Sequence, residues 1–222
     1  MLSRLKSAVK VALSCTPAGK LVNHRWAYAF TPRQLCFLTT CIDRTAAVRG
    51  AVVEIGCFRG YTSIWLKKHM DFEGIQKPYF ALDTFSGFVS EQLRHELRSR
   101  GKGRFVSLMK DAFVDNSQWI FDRQLGWNNL TGVRSIRTDA ATFDYATIGT
   151  ISFALIDVDL YIPVKASLEK IEPLMTTGGV IVVDDCVSGG MYDGALQAYQ
   201  EFVDQRGRPR KIVHGKLGVV EF

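Results

Sequence analysis

The chain has no cysteine pair at CxxC spacing, no apolar run long enough to cross a bilayer, no dinucleotide fingerprint and no acidic residue before Asp43. Each absence removes a class of function. The five cysteines, Cys15, Cys36, Cys41, Cys57 and Cys186, are odd in number and scattered. That pattern argues against a disulfide framework and for a reducing, cytoplasmic setting. No segment approaches the roughly 18 apolar residues of a transmembrane helix. In Gly56-Cys57-Phe58-Arg59-Gly60, Phe58 stands where a GxGxxG turn needs its second glycine, which disfavours a pyrophosphate resting on the turn. Repeats and low-complexity stretches are missing too, so 222 residues read as one globular domain.

The missing N-terminal acids explain the charge. The net charge is +6, and Arg4, Lys6, Lys10, Lys20, Arg25 and Arg33 all precede Asp43, leaving 22 basic and 22 acidic residues elsewhere. The remaining chain is formally neutral, so no nucleic-acid partner is expected. Leu2, Leu5, Val9 and Leu13 share one helical stripe, which gives residues 1–45 the character of a basic helical segment. Packing on its own domain or on a second subunit of a homo-oligomer is the preferred role. A peripheral membrane contact is the alternative, and an organelle transit segment ranks below both because no processing site is evident.

What is present is carboxylate at the ends of apolar runs. Phe153-Ala154-Leu155-Ile156 runs into Asp157-Val158-Asp159, and Val180-Ile181-Val182-Val183 runs into Asp184-Asp185. Continuous apolar runs of this length read as strands covered on both faces, and ligands bind at the carboxyl ends of such strands. Acids gathered there repel one another unless a cation or a shared proton compensates. An oxygen-only cluster favours Mg2+ over Zn2+, with Ca2+ or Mn2+ also compatible. Asp184-Asp185 alone also reads as a pair of helix-starting acids.

Strands are further expected at Ala51 to Ile55, at Tyr79 to Leu82 ending on Asp83, and around Val133 to Ile136 approaching Asp139. Helices are expected at Tyr61 to His69, Pro163 to Met175 and Tyr192 to Gln205. The alternation predicts an α/β fold, a doubly wound, mostly parallel sheet over residues 46–222. It closes with an antiparallel hairpin turning on Gly215-Lys216. Residues 84–132 form an insertion, read as a lid over the sheet edge. Its basic stretch from Arg94 to Arg104 reads as a solvated face, and Trp119, Phe121 and Trp127 read as core rather than a sugar platform. His214 and the cysteines receive no catalytic role.

These motifs together resemble class I S-adenosylmethionine-dependent methyltransferases, and more closely the macrocin O-methyltransferase-like family of bacterial sugar methyltransferases. The resemblance spans roughly residues 28 to 214. It is carried by Phe30-Thr31-Pro32-Arg33-Gln34-Leu35, Val53-Glu54-Ile55-Gly56-Cys57-Phe58-Arg59-Gly60, Asp83-Thr84-Phe85-Ser86-Gly87-Phe88, Ile156-Asp157-Val158-Asp159-Leu160-Tyr161 and Gly178-Gly179-Val180-Ile181-Val182-Val183-Asp184-Asp185. It implies a Rossmann-like sheet, Mg2+ on Asp157, Asp184 and Asp185, and Asp159 as general base. S-adenosylmethionine would lie against Glu54, Gly56 and Gly60, with Asp83 at the ribose, Asp139 at the adenine amino group and Thr31 nearby. The acceptor would be a small-molecule or glycan hydroxyl. A catechol-type methyltransferase is the rival enzyme, and a non-catalytic scaffold docking on a membrane or glycan-assembly partner is the rival of another class.

Overall fold

The structure is a computed structural model that describes residues 28–222. The basic helical segment expected before Tyr28 lies outside the described residues. Seven strands form one sheet: β1 (Ala51–Ile55), β2 (Tyr79–Asp83), β3 (Val133–Arg137), β4 (Ile151–Ile156), β5 (Met175–Val183), β6 (Ile212–Val213) and β7 (Leu217–Glu221), in the order β3-β2-β1-β4-β5-β7-β6. The first five are parallel, while β7 runs antiparallel to β5 and to β6.

Every residue of β1 and β4 is buried, and alternation divides their side chains between two cores. Val52, Phe153, Val180 and Val182 face one layer. Its helices are α1 (Pro32–Arg44), α2 (Tyr61–Phe72) and α5 (Gln118–Trp127). Val53, Ile55, Ile156, Ile181 and Val183 face the other, made by α6 (Tyr161–Ile171) and α7 (Gly194–Gln205). A sheet covered on both faces is what the continuous apolar runs require. Helix α1 belongs to this core, with Leu35, Leu38, Cys41 and Ile42 fully buried.

Two boundaries differ from expectation. Helix α6 begins at Tyr161 and stops at Ile171, giving way to a 3-10 turn over Glu172–Leu174. Pro173 is the physical reason, since it lacks an N–H donor and disfavours helical backbone in the residue before it. The closing hairpin turns on three residues rather than two. Val213 pairs with Leu217, and His214 and Gly215 both take left-handed backbone, at φ 50° and 85°.

The insertion folds as α3 (Ser90–Arg98), a 3-10 turn, α4 (Val106–Lys110) and α5. A small third core of Leu93, Met109 and Leu160 seats it on the tip of β4. Its basic stretch divides. Arg94 and Arg98 are exposed, but Arg100 pairs with Glu96 and Asp193, and Lys102 with Asp193. Of the aromatics only Phe121 is core. Trp119 and Trp127 are each 66% exposed and flank Arg123 on the outer face of α5, because one helical turn separates each from the next.

Candidate active site

The register of the parallel strands aligns their tips. Ile55 pairs with Leu82 on one side and Ile156 on the other, and Ile156 pairs with Val183. The backbone ladder runs one residue further, with Gly56 N donating to Leu82 O (2.7 Å), Asp157 N to Ile55 O (2.7 Å) and Asp184 N to Ile156 O (2.9 Å). Gly56, Asp83, Asp157 and Asp184 therefore form a row along one edge. The order in which strands are added reverses between β1 and β4, so this row lies at the topological switch point.

Above the row is a cavity of about 570 Å3, within the range of small-molecule sites. Of the residues predicted from sequence, Gly56, Asp83, Asp139, Asp157, Asp159, Asp184 and Asp185 line it. Glu54, Gly60 and Thr31 do not line it. Thr31 caps α1, its hydroxyl accepting from Gln34 N while Gln34 Oε1 accepts from Thr31 N. Gly60 opens α2 in left-handed backbone against the Phe121 ring.

Glu54 is 1% exposed, and its carboxylate accepts hydrogen bonds from the Ser63 and Tyr79 hydroxyls. Burial pushes its pKa from 4.5 up to about 7 against the pull of those two donors, with Asp83 adding repulsion. A folded-state pKa above the unfolded value means that the native state holds the extra proton. Stability is then full below about pH 4.5 and is lost as pH rises through about 7, by roughly 3 kcal/mol in all. Glu54→Gln keeps an acceptor for both hydroxyls, so its urea-unfolding free energy should change less between pH 5 and pH 8 than that of the wild type, by an amount of that order. Parallel profiles would show that Glu54 ionises normally.

Asp83 clamps two loops, accepting from Phe58 N (2.8 Å) and Phe85 N (2.6 Å) through different oxygens. Each oxygen keeps a lone pair for a ligand hydroxyl. Asp139 accepts from Ala141 N and from Gln92 Nε2 (2.8 Å), which ties the insertion to this end of the cavity. Gln92 was not singled out from sequence. Nor were Phe88, Phe113 and Tyr192, cavity residues joined in an edge-to-face chain that also includes Phe58. Pairs so distant in sequence leave no local signal.

The four acids of the β4 and β5 tips are held in one electrostatic unit. Burial raises the Asp157 and Asp159 carboxyls well above their usual range, and repulsion from their aspartate neighbours raises them further. Asp184 is raised as well, by burial and by Asp185. Asp159 and Asp185 adopt left-handed backbone, at φ 61° and 56°, a conformation uncommon among non-glycine residues and better tolerated by aspartate than by most. Lys216 Nζ supplies a positive charge, 2.6 Å from Asp184 Oδ2 and 3.4 Å from Asp185 Oδ1.

Asp184 Oδ1 is buried without a hydrogen-bond partner. Such an atom is costly unless a cation or proton reaches it. An all-oxygen donor set with excess negative charge and an orphaned carboxylate oxygen matches what a hard divalent ion takes. The match lies in the donors rather than in a finished cage. Among the described residues, no three His, Cys, Asp or Glu side chains already stand together as a metal site.

No helix among the described residues is long and apolar enough to cross a membrane. Compared with curated proteins, the sequence has no significant match. Solved structures share its fold. The O-methyltransferase NovP matches with a TM-score of 0.71 at 18% identity, covering 85% of this chain and 79% of its own. CalS11, a calicheamicin methyltransferase, matches with a TM-score of 0.68 at 17% identity, covering 99% and 92%. An O-methyltransferase from Bacillus cereus, solved in complex with SAH, matches with a TM-score of 0.53 at 18% identity, covering 96% and 85%. The model of the macrocin O-methyltransferase (TylF) family matches residues 25–215, and the chain belongs to that family.

Proposed function

We propose that the protein transfers a methyl group from S-adenosylmethionine to a hydroxyl of a sugar or glycosylated metabolite in a Mg2+-dependent reaction. The observation that carries this reading is the carboxylate row, Asp157, Asp159, Asp184 and Asp185, set beside a ligand-sized cavity at the switch point of the sheet. Family membership supports methyl transfer to oxygen. The sugar is supported by CalS11, which in another structure is described as a TDP-rhamnose 3'-O-methyltransferase.

The residues divide the work by position. Gly56 lets the β1 turn pack on the Asp157 main chain at the cavity edge, Asp83 accepts from ribose hydroxyls, and Asp139 with Gln92 faces the adenine. Glu54 and Gly60 act by shaping the turn, and Thr31 by fixing the start of α1. Asp157, Asp184 and Asp185 would hold Mg2+, which when bound supplies positive charge that favours a deprotonated acceptor hydroxyl. Asp159 takes the hydroxyl proton. An ordinary aspartate, with a pKa of about 3.9, is a poor base for an alcohol, and burial among other acids narrows that gap. Fixing the hydroxyl in line with the methyl donor supplies proximity.

Transfer of labelled methyl from S-adenosylmethionine into a panel of glycosides and nucleotide sugars, with Mg2+ or with chelator, tests the reading. The expected result is methylation of a sugar hydroxyl that chelator abolishes. Equal rates in chelator would overturn the metal assignment, and transfer confined to catechols would move the protein to the rival class.

A further inference from the structure

We propose that Lys216 is the resident counter-cation of the carboxylate row, and that a divalent ion entering the row competes with its ammonium for the Asp184 carboxylate. The inference rests on the metal reading above. It concerns a residue just past the family match, which ends at residue 215.

Lys216 is not a surface lysine that happens to reach an acid. Its backbone carbonyl accepts from Cys186 N (2.8 Å), which ties the hairpin loop to the residue after Asp185. Two positions earlier, His214 O accepts from Gln34 Nε2 (3.0 Å), which ties the same loop to α1. The left-handed backbone of His214 and Gly215 turns the chain between these anchors. The ammonium so delivered lies 4.9 Å from the centre of the Phe30 ring, and the side chain is 20% exposed. Among the described residues that line the cavity, Lys216 is the one lysine or arginine, and it contacts Asp184 and Asp185.

One ammonium cannot satisfy this row. It neutralises a single charge and engages Asp184 through Oδ2, leaving buried Oδ1 bare. A divalent ion brings two charges and takes oxygens from several carboxylates at once. It cannot share Asp184 with the ammonium freely, because like charges at such range repel strongly in a buried setting. Lys216 thus keeps the row assembled without metal and weakens the metal's hold on it.

The test is calorimetric titration of Mg2+ into the full-length protein and its Lys216→Met and Lys216→Arg variants, with melting curves in chelator. Lys216→Met should bind Mg2+ roughly 10- to 100-fold tighter than wild type. It should also melt lower in chelator and gain more from added Mg2+. Lys216→Arg keeps the charge and should stay within about threefold of wild type. Lys216→Gln serves as a second neutral variant if the Met protein does not fold. Binding by a neutral variant alone is the same result in its extreme form. Equal or weaker Mg2+ binding by the neutral variants, with wild type binding well, would overturn this inference and leave the metal reading standing. Binding by none of the proteins would overturn both.

Discussion

Gly56→Ala should abolish binding of S-adenosylhomocysteine and lower the melting temperature by on the order of 10 °C. A Cβ at this position would lie 1.8 Å from the Asp157 carbonyl oxygen and 2.6 Å from its carbonyl carbon, on a backbone with φ of 91°. Both atoms are main chain on the neighbouring strand, so no rotamer change relieves the clash. The Asp157 N to Ile55 O bond lies in the same strip of ladder. Pushing β4 away from β1 would therefore disturb the cofactor turn and the carboxylate row together. Overpacking of this kind costs roughly 1–3 kcal/mol, and the left-handed backbone adds about 1–2 kcal/mol. A variant that melts with the wild type and binds S-adenosylhomocysteine normally would mean that Gly56 is not the close-approach point.

The second large effect concerns chemistry rather than assembly. Asp159→Asn should reduce methyl transfer by about 100- to 10,000-fold while changing S-adenosylhomocysteine affinity by less than about threefold. Asparagine matches the shape of the carboxyl but has no site for the acceptor's proton. It also removes one of four mutually repelling acids, so the variant should melt at or above the wild-type temperature. Lost turnover in a protein at least as stable is the signature of a group placed for catalysis at a cost in stability. Full turnover in the variant would remove Asp159 from the mechanism.

The strands and the acids at their tips were legible because both are local signals. A continuous apolar run of four or more residues ending in Asp marks a buried parallel strand and its carboxyl end, and β2, β4 and β5 lie where that pattern places them. Thr31 carries a second local signal. Thr31-Pro32-Arg33-Gln34 is a capping box, with proline at the first helical position, and its work is to start α1. The resemblance sets Glu54 against S-adenosylmethionine, yet Ile55 is the strand tip. One residue of offset turns a strand side chain to the other face, here toward Ser63 and Tyr79 rather than the cavity.

The rest was not legible because it depends on distant partners. Gln92 reaches Asp139 across 47 positions and Lys216 reaches Asp184 across 32. Arg100 leaves the solvated face predicted for it by pairing with Asp193, 93 positions on. Trp119 and Trp127 are exposed because α5 spends its buried stripe on Phe121 and Leu125.

The central claim is that the cavity above the carboxylate row is the seat of S-adenosylmethionine. Calorimetric titration of S-adenosylhomocysteine into the wild-type protein, first with Mg2+ and then with chelator, tests it without knowledge of the acceptor. The account predicts saturable micromolar binding at one site per chain. No binding under either condition would contradict it.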